Sequence, residues 1–195
     1  MSTFAAIDAW AQPANGRTRE LLPEVAQLFE KSGSGHLLDQ RLTPEQTVAE
    51  MDKAGVGKLM LAAWCRPERW VCTNDEVAEF TCAFPERFVG VATVDLSKPL
   101  AAVRELEHAV NELDCKALRI VPWLWQLPPN HRLYYPLYVK CIELDIPFCT
   151  QVGHTGPLMP SETGRPVPYL DEVALDFPEL RIVAGHIGHP WTERL

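Results

Sequence analysis

The chain has 195 residues, of which 47% are hydrophobic and 23% are charged, and its formal net charge is −8. This composition is typical of a globular domain with a sizeable core, and the acidic balance argues against a nucleic acid or an anionic membrane as the partner. No apolar run approaches the length of a membrane span, and the N-terminus lacks a basic region followed by an apolar one, so we expect a cytoplasmic protein.

Apolar runs and helical stripes alternate along the chain with a repeat of roughly thirty residues, the size of a βαβ unit. The runs are apolar on both faces, as strands of a parallel sheet covered by helices must be. Thr43, Pro44 and Gln46 supply the cap, first-turn proline and capping-box partner of one helix. The predicted strands lie at 4–10, 56–63, 88–95, 115–121, 146–153 and 181–187, and the predicted helices at 43–53, 74–83, 99–113, 133–144 and 167–176.

A long connection at 11–42 follows the first predicted strand. Its part at 19–31 has helical spacing of apolar residues, and the run Ser32-Gly33-Ser34-Gly35 ends that pattern. A long insertion after a first strand is more often a lid or a binding loop than a simple linker.

Two architectures fit this alternation, an open doubly wound sheet and a (β/α)₈ TIM barrel. The glycine-rich loop of a dinucleotide-binding sheet is absent after the first strand, where Trp10-Ala11-Gln12-Pro13 stands instead. Polar or aromatic residues also follow nearly every strand, which favours the barrel. Since a barrel needs eight strands and about 250 residues, we expect residues 1–195 to form one incomplete α/β barrel domain with about six of eight βα units.

Cysteine is the residue type that could argue for an oxidising compartment. The chain has six cysteines without CxxC spacing, and most of them lie inside apolar periodic segments. We therefore expect reduced, buried cysteines and no disulfide framework.

The carboxyl ends of the predicted strands carry aromatic, arginine and histidine side chains. Tryptophan offers stacking area and arginine a bidentate fork for a carboxylate, so the set predicts a site for a flat or conjugated anionic small molecule. For Arg66 and Arg119, a structural ion pair and substrate binding are equally favoured roles. For His189, packing at a helix start and contact with the substrate are equally favoured. The candidate substrate-binding residues are Arg66, Arg119, Trp10, Gln12, Trp64, Trp123 and His189.

Two stretches carry histidines at equivalent strand ends, Gln151-Val152-Gly153-His154 and Gly185-His186-Ile187-Gly188-His189-Pro190-Trp191. Together with Ile7-Asp8 and the third strand "FPERFVGVATVDL", they make the chain resemble the amidohydrolase-related metal-dependent hydrolases, particularly the branch that contains aminocarboxymuconate semialdehyde decarboxylase. The resemblance implies a (β/α)₈ barrel with one divalent metal, usually zinc, whose bound water hydrolyses the substrate or takes part in decarboxylation.

By this resemblance His154 matches the metal ligand after the fifth strand. His186 matches the histidine that orients or deprotonates the metal-bound water, so both are the predicted catalytic residues. The family's first-strand His-x-His pair is replaced by Trp10 and Gln12, and the eighth-strand aspartate has no counterpart up to Leu195.

The first functional hypothesis is a hydrolase acting on a small carboxylated, possibly aromatic-derived substrate, and a non-oxidative decarboxylase of the same family is the alternative. Without the first-strand pair, His154 and His186 could act as a metal-independent acid and base, with Gln12 bonding a carbonyl. A third hypothesis is a catalytically degenerate or truncated barrel with a binding role or no activity. The expected partner is a small-molecule substrate, and a homodimer is possible.

Overall fold

A computed structural model of the chain describes residues 6–157 and 159–194. Phe4 and Ala5 of the first predicted strand lie outside the described residues. The strands are β1 (Ala6–Ala11), β2 (Val56–Ala62), β3 (Trp64–Arg66), β4 (Arg69–Cys72), β5 (Phe88–Val91), β6 (Leu118–Ile120), β7 (Phe148–Gln151) and β8 (Ile182–Gly185). The α-helices are α1 (Thr18–Leu21), α2 (Pro23–Lys31), α3 (Pro44–Ala54), α4 (Asn74–Ala83), α5 (Pro99–Asn111), α6 (Pro122–Trp125), α7 (Tyr135–Glu143) and α8 (Tyr169–Asp176), with 3₁₀ turns at Gly35–Leu37, Glu162–Gly164 and Thr192–Arg194.

Six of the strands run parallel in the order β1-β2-β5 and β6-β7-β8. The two groups are joined by a parallel bridge between Ala92 and Leu118, where the Arg119 N–H donates to the Ala92 carbonyl at 2.8 Å. Among the described residues, β1 pairs with β2 alone and β8 with β7 alone, so this sheet is open and not a closed barrel. The α/β alternation predicted from the sequence is confirmed.

Helix starts follow the capping signals in the sequence. The Thr43 hydroxyl accepts from the Gln46 N–H and the Gln46 side chain accepts from the Thr43 N–H, so the predicted capping box is confirmed. Thr73 and Glu76 form a second box at the start of α4. Reciprocal bonds of this kind satisfy backbone donors that a helix end otherwise leaves free.

The predicted strands are right in position but longer than the observed ones. The third was expected to reach residue 95, yet β5 ends at Val91. One reason is that the Thr93 N–H donates to the buried Asn74 side chain at 3.0 Å and no longer to a neighbouring strand. Side-chain acceptors of this kind compete with the sheet ladder, and strand-end patterning does not reveal them.

Two elements were not predicted, the antiparallel hairpin β3–β4 and the short helix α6. The hairpin reverses at Pro67-Glu68, where Glu68 has φ +60°. A non-glycine residue in this region is uncommon, so the turn had no strong sequence signal. The hairpin follows β2 and packs Trp64 between two parts of the core.

The main core lies where α5 and α7 cover β6 and β7. Tyr134, Tyr138 and Phe148 are among its largest fully buried side chains, and the rings of Tyr138 and Phe148 meet edge-on at 4.8 Å between centroids. All six cysteines are free, and all except Cys82 are buried. The cysteine prediction is therefore confirmed apart from the exposure of Cys82. Of the helices in the described ranges, none has the length and hydrophobicity needed to cross a bilayer.

Candidate active site

One cavity, with a volume of about 390 Å³, is lined by residues from all six parallel strands. Its walls are mostly apolar. Its charged or titratable side chains, Arg119 and His186, come from β6 and from the residue that follows β8. Since every strand contributes, the open sheet curves around this space as the strands of a barrel would. The lining residues include Trp10, Met60, Val91, Arg119, Cys149 and His186.

Trp10 occupies the centre of the site. The Arg119 guanidinium lies 4.7 Å from the centroid of the indole ring, a cation–π distance. The His186 ring meets the same indole edge-on, with centroids 5.1 Å apart and planes at 86°. Asp8 fixes the strand here, because its Oδ1 accepts from the Trp10 N–H at 2.8 Å. The structure thus brings together three of the predicted site residues.

Gly185 makes room for the indole. A Cβ atom built at this position would lie 2.7 Å from Trp10 Cζ3 and 2.9 Å from its Cη2. These distances are far below van der Waals contact, so any larger side chain displaces Trp10. The first glycine of the Gly185-His186-Ile187-Gly188 stretch is therefore required by close packing across the cavity.

Arg119 is the buried charge of the site, with only 3% of its surface exposed. With the Gln12 amide assigned so that its oxygen faces the guanidinium, this oxygen lies 2.5 and 3.2 Å from the two terminal nitrogens. Among the described residues, no carboxylate lies within ion-pairing distance of Arg119. Burial lowers the pKa of Arg119 to about 10, because the charged form is poorly solvated at this position.

His186 stands on the open side of the cavity in an unusual backbone conformation. Its φ is +72° and that of Ile187 is +41°, and such values cost of order 1–3 kcal/mol for a non-glycine residue. Desolvation of the ring, and secondly the charge of Arg119, lower the pKa of His186. The imidazole is therefore neutral at pH 7 and able to accept a proton.

His154 and His189 meet through their backbones. The His154 N–H donates to the His189 carbonyl at 2.6 Å, and a Cβ on Gly153 would come within 2.8 Å of the Gly188 and His189 backbones. Gly153 itself has φ +94°. The loops after β7 and β8 are therefore tied together at the strand ends, and the His154 side chain is exposed there with its Nδ1 2.7 Å from the Ser161 hydroxyl.

The remaining predicted residues lie outside the cavity lining. Arg66 pairs with Glu24 at 3.0 Å and donates to the Leu21 carbonyl at 3.1 Å, the structural alternative foreseen for it. Trp123 is buried and donates through its indole N–H to Gln151 at 2.8 Å. Trp64, half-buried, lines a second cavity of about 310 Å³ that Gln12 also borders. For these residues substrate binding stays a prediction.

Sequence reasoning missed two contributors to the site, Cys149 and Ser161. Cys149 lines the cavity because it alternates with Phe148 across β7, a period-2 signal that was present in the sequence. Ser161 is the hydrogen-bond partner of the His154 ring and also contacts the Thr155 hydroxyl, but it follows His154 by seven residues in a loop with no periodicity. Its contact with His154 is a product of loop folding that no local pattern indicates.

The described residues do not by themselves fit a divalent metal. They contain no group of three or more His, Cys, Asp or Glu side chains close enough to bind an ion. Zinc wants three or four such ligands. The positions of the expected first-strand pair hold Trp10 and Gln12, and the Arg119 cation lies directly over Trp10.

The chain is similar to known proteins both in sequence and in fold. The chain is 32% identical over 134 residues to 2-keto-4-carboxy-3-hexenedioate hydratase of Sphingobium sp., an alignment that covers 59% of this chain and 39% of the relative. An uncharacterized TIM-barrel protein of Bordetella bronchiseptica superposes with a TM-score of 0.76 at 22% identity, covering 96% of this chain and 69% of that one.

A second solved structure is 5-carboxyvanillate decarboxylase of Novosphingobium aromaticivorans, determined with manganese and 4-hydroxy-3-methoxy-5-nitrobenzoic acid. It matches with a TM-score of 0.65 and 19% identity, over 97% of this chain and 67% of that one. At such identities these structures bear on the fold alone, and they show that the α/β fold of this chain is similar to that of TIM-barrel proteins. The sequence pattern of the family described as Amidohydrolase matches residues 7–195. The chain belongs to the amidohydrolase family.

Proposed function

We propose that this chain is the substrate-binding part of an amidohydrolase-family lyase that acts on a small unsaturated polycarboxylate. The observation that carries the proposal is Arg119, a buried cation that lines the cavity and has no carboxylate partner among the described residues. A buried charge is costly unless it is paired. A substrate carboxylate supplies the missing partner through the bidentate geometry that guanidinium groups favour.

The surroundings of Arg119 suit the rest of such a substrate. The indole of Trp10 presents a flat surface beside the guanidinium, and Met60, Val91 and Cys149 make the cavity wall apolar. A conjugated carbon skeleton stacks on such a surface while its carboxylate remains paired with Arg119. The substrate class is therefore a conjugated carboxylate.

The reaction we favour is addition of water to a carbon–carbon double bond conjugated with that carboxylate. Its support is the 32% identity with a hydratase of a carboxylated hexenedioate. Neutral His186 takes a proton from the water that attacks the β-carbon, and the electrons of the double bond move toward the conjugated carboxylate, where the Arg119 cation stabilises them. The proton held by His186 is then returned to the α-carbon, which completes the addition of water.

Non-oxidative decarboxylation is the second candidate. It is favoured by the apolar cavity walls, because desolvation of a carboxylate raises its energy relative to the less concentrated charge that forms as CO₂ leaves. A decarboxylase is also among the proteins of the same fold. Hydrolysis, the first expectation from the sequence, stays a prediction that the same assay checks.

A metal is not used in this proposal. Manganese is present in the decarboxylase of similar fold, and the family resemblance suggested zinc with His154 as a ligand. Because the donors of the described residues do not form a metal site, no step is derived through such an ion.

The proposal places the site in a single barrel domain with the 11–42 connection as an insertion near its mouth. Support comes from six parallel strands lining one cavity and from the TM-score of 0.76 with a TIM-barrel protein. We also retain the cytoplasm as the proposed compartment, since free cysteines suit a reducing environment.

The test is a turnover assay on unsaturated di- and tricarboxylates. Loss of the absorbance of the conjugated double bond reports hydration, and release of CO₂ reports decarboxylation. We expect H186Q to lower kcat by about 10²–10⁴-fold, the range for removal of a general base. R119K should raise KM by about tenfold or more, because lysine lacks the bidentate fork.

R87K is the matched control, since its guanidinium is paired with the exposed Asp52 outside the cavity. It should change KM by less than about twofold, within the range of surface ion pairs. Absence of turnover on every conjugated carboxylate, or equal effects of R119K and R87K, would contradict the proposed function.

A further inference from the structure

Four hydrogen bonds link His154, Thr155, Met159 and Ser161 in the loop after β7. The Thr155 N–H lies 2.9 Å from Ser161 Oγ, and the Thr155 hydroxyl lies 3.0 Å from the Met159 carbonyl oxygen. Ser161 Oγ is 2.7 Å from Thr155 Oγ1 and 2.7 Å from His154 Nδ1. Thr155 is 4% exposed, so its hydroxyl depends on these partners.

The number of hydrogens in this network allows one arrangement that satisfies all four contacts. The Met159 carbonyl can only accept, so the Thr155 hydroxyl donates its one hydrogen to it. The contact between the two hydroxyls then requires Ser161 to donate its own hydrogen to Thr155 Oγ1. Ser161 has no hydrogen left, so it accepts from both the Thr155 N–H and His154 Nδ1–H.

We infer that Ser161 is a positioning residue that holds neutral His154 in the Nδ1–H tautomer. This leaves the lone pair on Nε2 as the only acceptor of an exposed ring at the strand ends. The opposite tautomer would leave one contact of the buried Thr155 hydroxyl unmade, at a cost of order 1–3 kcal/mol for an unsatisfied buried group.

The inference assigns a chemical role to His154. A neutral ring with a free Nε2 accepts a hydrogen bond or a proton, from water, a hydroxyl or an enol, and cannot donate one. The role in turnover rests on the proposed function, whereas the tautomer itself is a property of the folded chain. The two are therefore tested by different measurements.

The tautomer is measured by two-bond ¹H–¹⁵N correlation NMR of the ¹⁵N-labelled full chain at about pH 8.5, where free imidazole is neutral. The spectrum of H154Q identifies the His154 signals. We expect Nδ1 to appear as the protonated nitrogen and Nε2 as the unprotonated one. A His154 ring protonated mainly on Nε2 in the unmodified chain would overturn the inference.

Two substitutions separate positioning from a general loss of structure. T155V removes the hydroxyl that receives the Ser161 hydrogen, so Ser161 becomes free to donate to Nδ1 and the His154 proton should move to Nε2. S161A removes the acceptor, and the proton should distribute between both nitrogens, while S161T keeps a hydroxyl and should restore Nδ1–H.

Thr163 supplies the matched control in the same loop. Its buried hydroxyl has no hydrogen-bond partner within the part of the chain that the structure describes, so T163V should leave the His154 tautomer unchanged. An unchanged tautomer in both T155V and S161A would refute the positioning role even if the unmodified chain is Nδ1–H. On an active substrate, T155V and S161A should lower kcat by about tenfold or more with KM little changed, because the Nε2 acceptor that His154 presents in addition to the general base His186 is displaced while the ring remains. If no substrate is turned over, the NMR result still decides the tautomer.

Discussion

The two ends of the parallel sheet carry opposite kinds of chemistry. At β1 the side chains are Trp10 and Gln12, neither of which changes charge near neutral pH. At β7 and β8 the strand ends deliver the imidazole rings of His154 and His186, the type of side chain best suited to proton transfer. Arg119, on β6, reaches across to both the indole of Trp10 and the amide of Gln12. In the proposed function, recognition and proton transfer are therefore divided between strands.

The two ends are also held in place by different forces. The β1 end depends on side-chain contacts, namely the cation–π contact of Arg119 and the close fit of Trp10 over Gly185. The β7 and β8 end depends on backbone geometry, including the positive φ of His186 and the bond from the His154 N–H to the His189 carbonyl. Side-chain substitutions should thus damage binding more readily than they damage the placement of the histidines.

The largest effect is expected for R119M, which removes the cation that joins the two ends. Affinity for a conjugated carboxylate should fall by about 10–100-fold, because a charge-assisted hydrogen bond contributes about 1.5–3 kcal/mol. The free energy of unfolding without ligand should rise by about 1 kcal/mol, since relief of desolvation outweighs the lost cation–π contact. Isothermal titration calorimetry and urea unfolding measure the two quantities.

The opposite signs make this test specific. A structural arginine would lose stability on substitution, and its loss would not weaken ligand binding selectively. If R119M destabilises the chain by more than about 2 kcal/mol, as loss of a buried partner does, the assignment of Arg119 as an unpaired ligand-binding cation is wrong.

A smaller effect is expected for G185A, which tests the fit at the β1 end. The new Cβ would overlap the Trp10 ring, so we expect a loss of about 1–3 kcal/mol in the free energy of unfolding. In a W10L background the same substitution should cost less than about 1 kcal/mol. The difference is the coupling energy of the pair in a double-mutant cycle. Equal costs in both backgrounds would show that Gly185 is needed for another reason.

The smallest effect concerns the acid side of the pH profile. Since desolvation and the Arg119 charge lower the pKa of His186, the neutral base should persist below pH 6.5, the ordinary value. The folded chain binds fewer protons than the unfolded one in this window, so stability should fall as pH drops through it.

Removing the Arg119 charge tests whether this charge contributes to the lowered pKa of His186. In R119M the pKa of His186 should rise toward the ordinary value but stay below it, because desolvation is the larger cause. Titration of the His186 C2 proton by NMR gives the result. If the pKa of His186 is equal in R119M and in the unmodified chain, the Arg119 charge is not a cause of the lowered pKa.

Several features were predictable because their signals are local. The capping box of Thr43 and Gln46, the apolar stripes of the helices and the parallel strands follow from short-range patterns. The hairpin at 64–72 was missed because the residue with positive φ in its turn is Glu68, at φ +60°, and not the glycine that usually marks such a turn in a sequence. Arg66 and Arg119 were indistinguishable in sequence, and only the fold decided that one has a carboxylate partner within the described residues and the other does not.

The sequence by itself determined the alternation of strands and helices, the family, and the positions of His154 and His186 at strand ends, because periodicity and short motifs are encoded locally. Only the tertiary structure shows that Trp10 contacts both Arg119 and His186 and that the absence of a side chain at Gly185 leaves room for the indole. The same holds for the hydrogen bond between Ser161 and His154. Those contacts depend on strand order and loop packing, which bring together residues far apart in the chain. The character of the site, a buried cation beside the His186 imidazole and without a carboxylate partner among the described residues, is therefore a property of the fold.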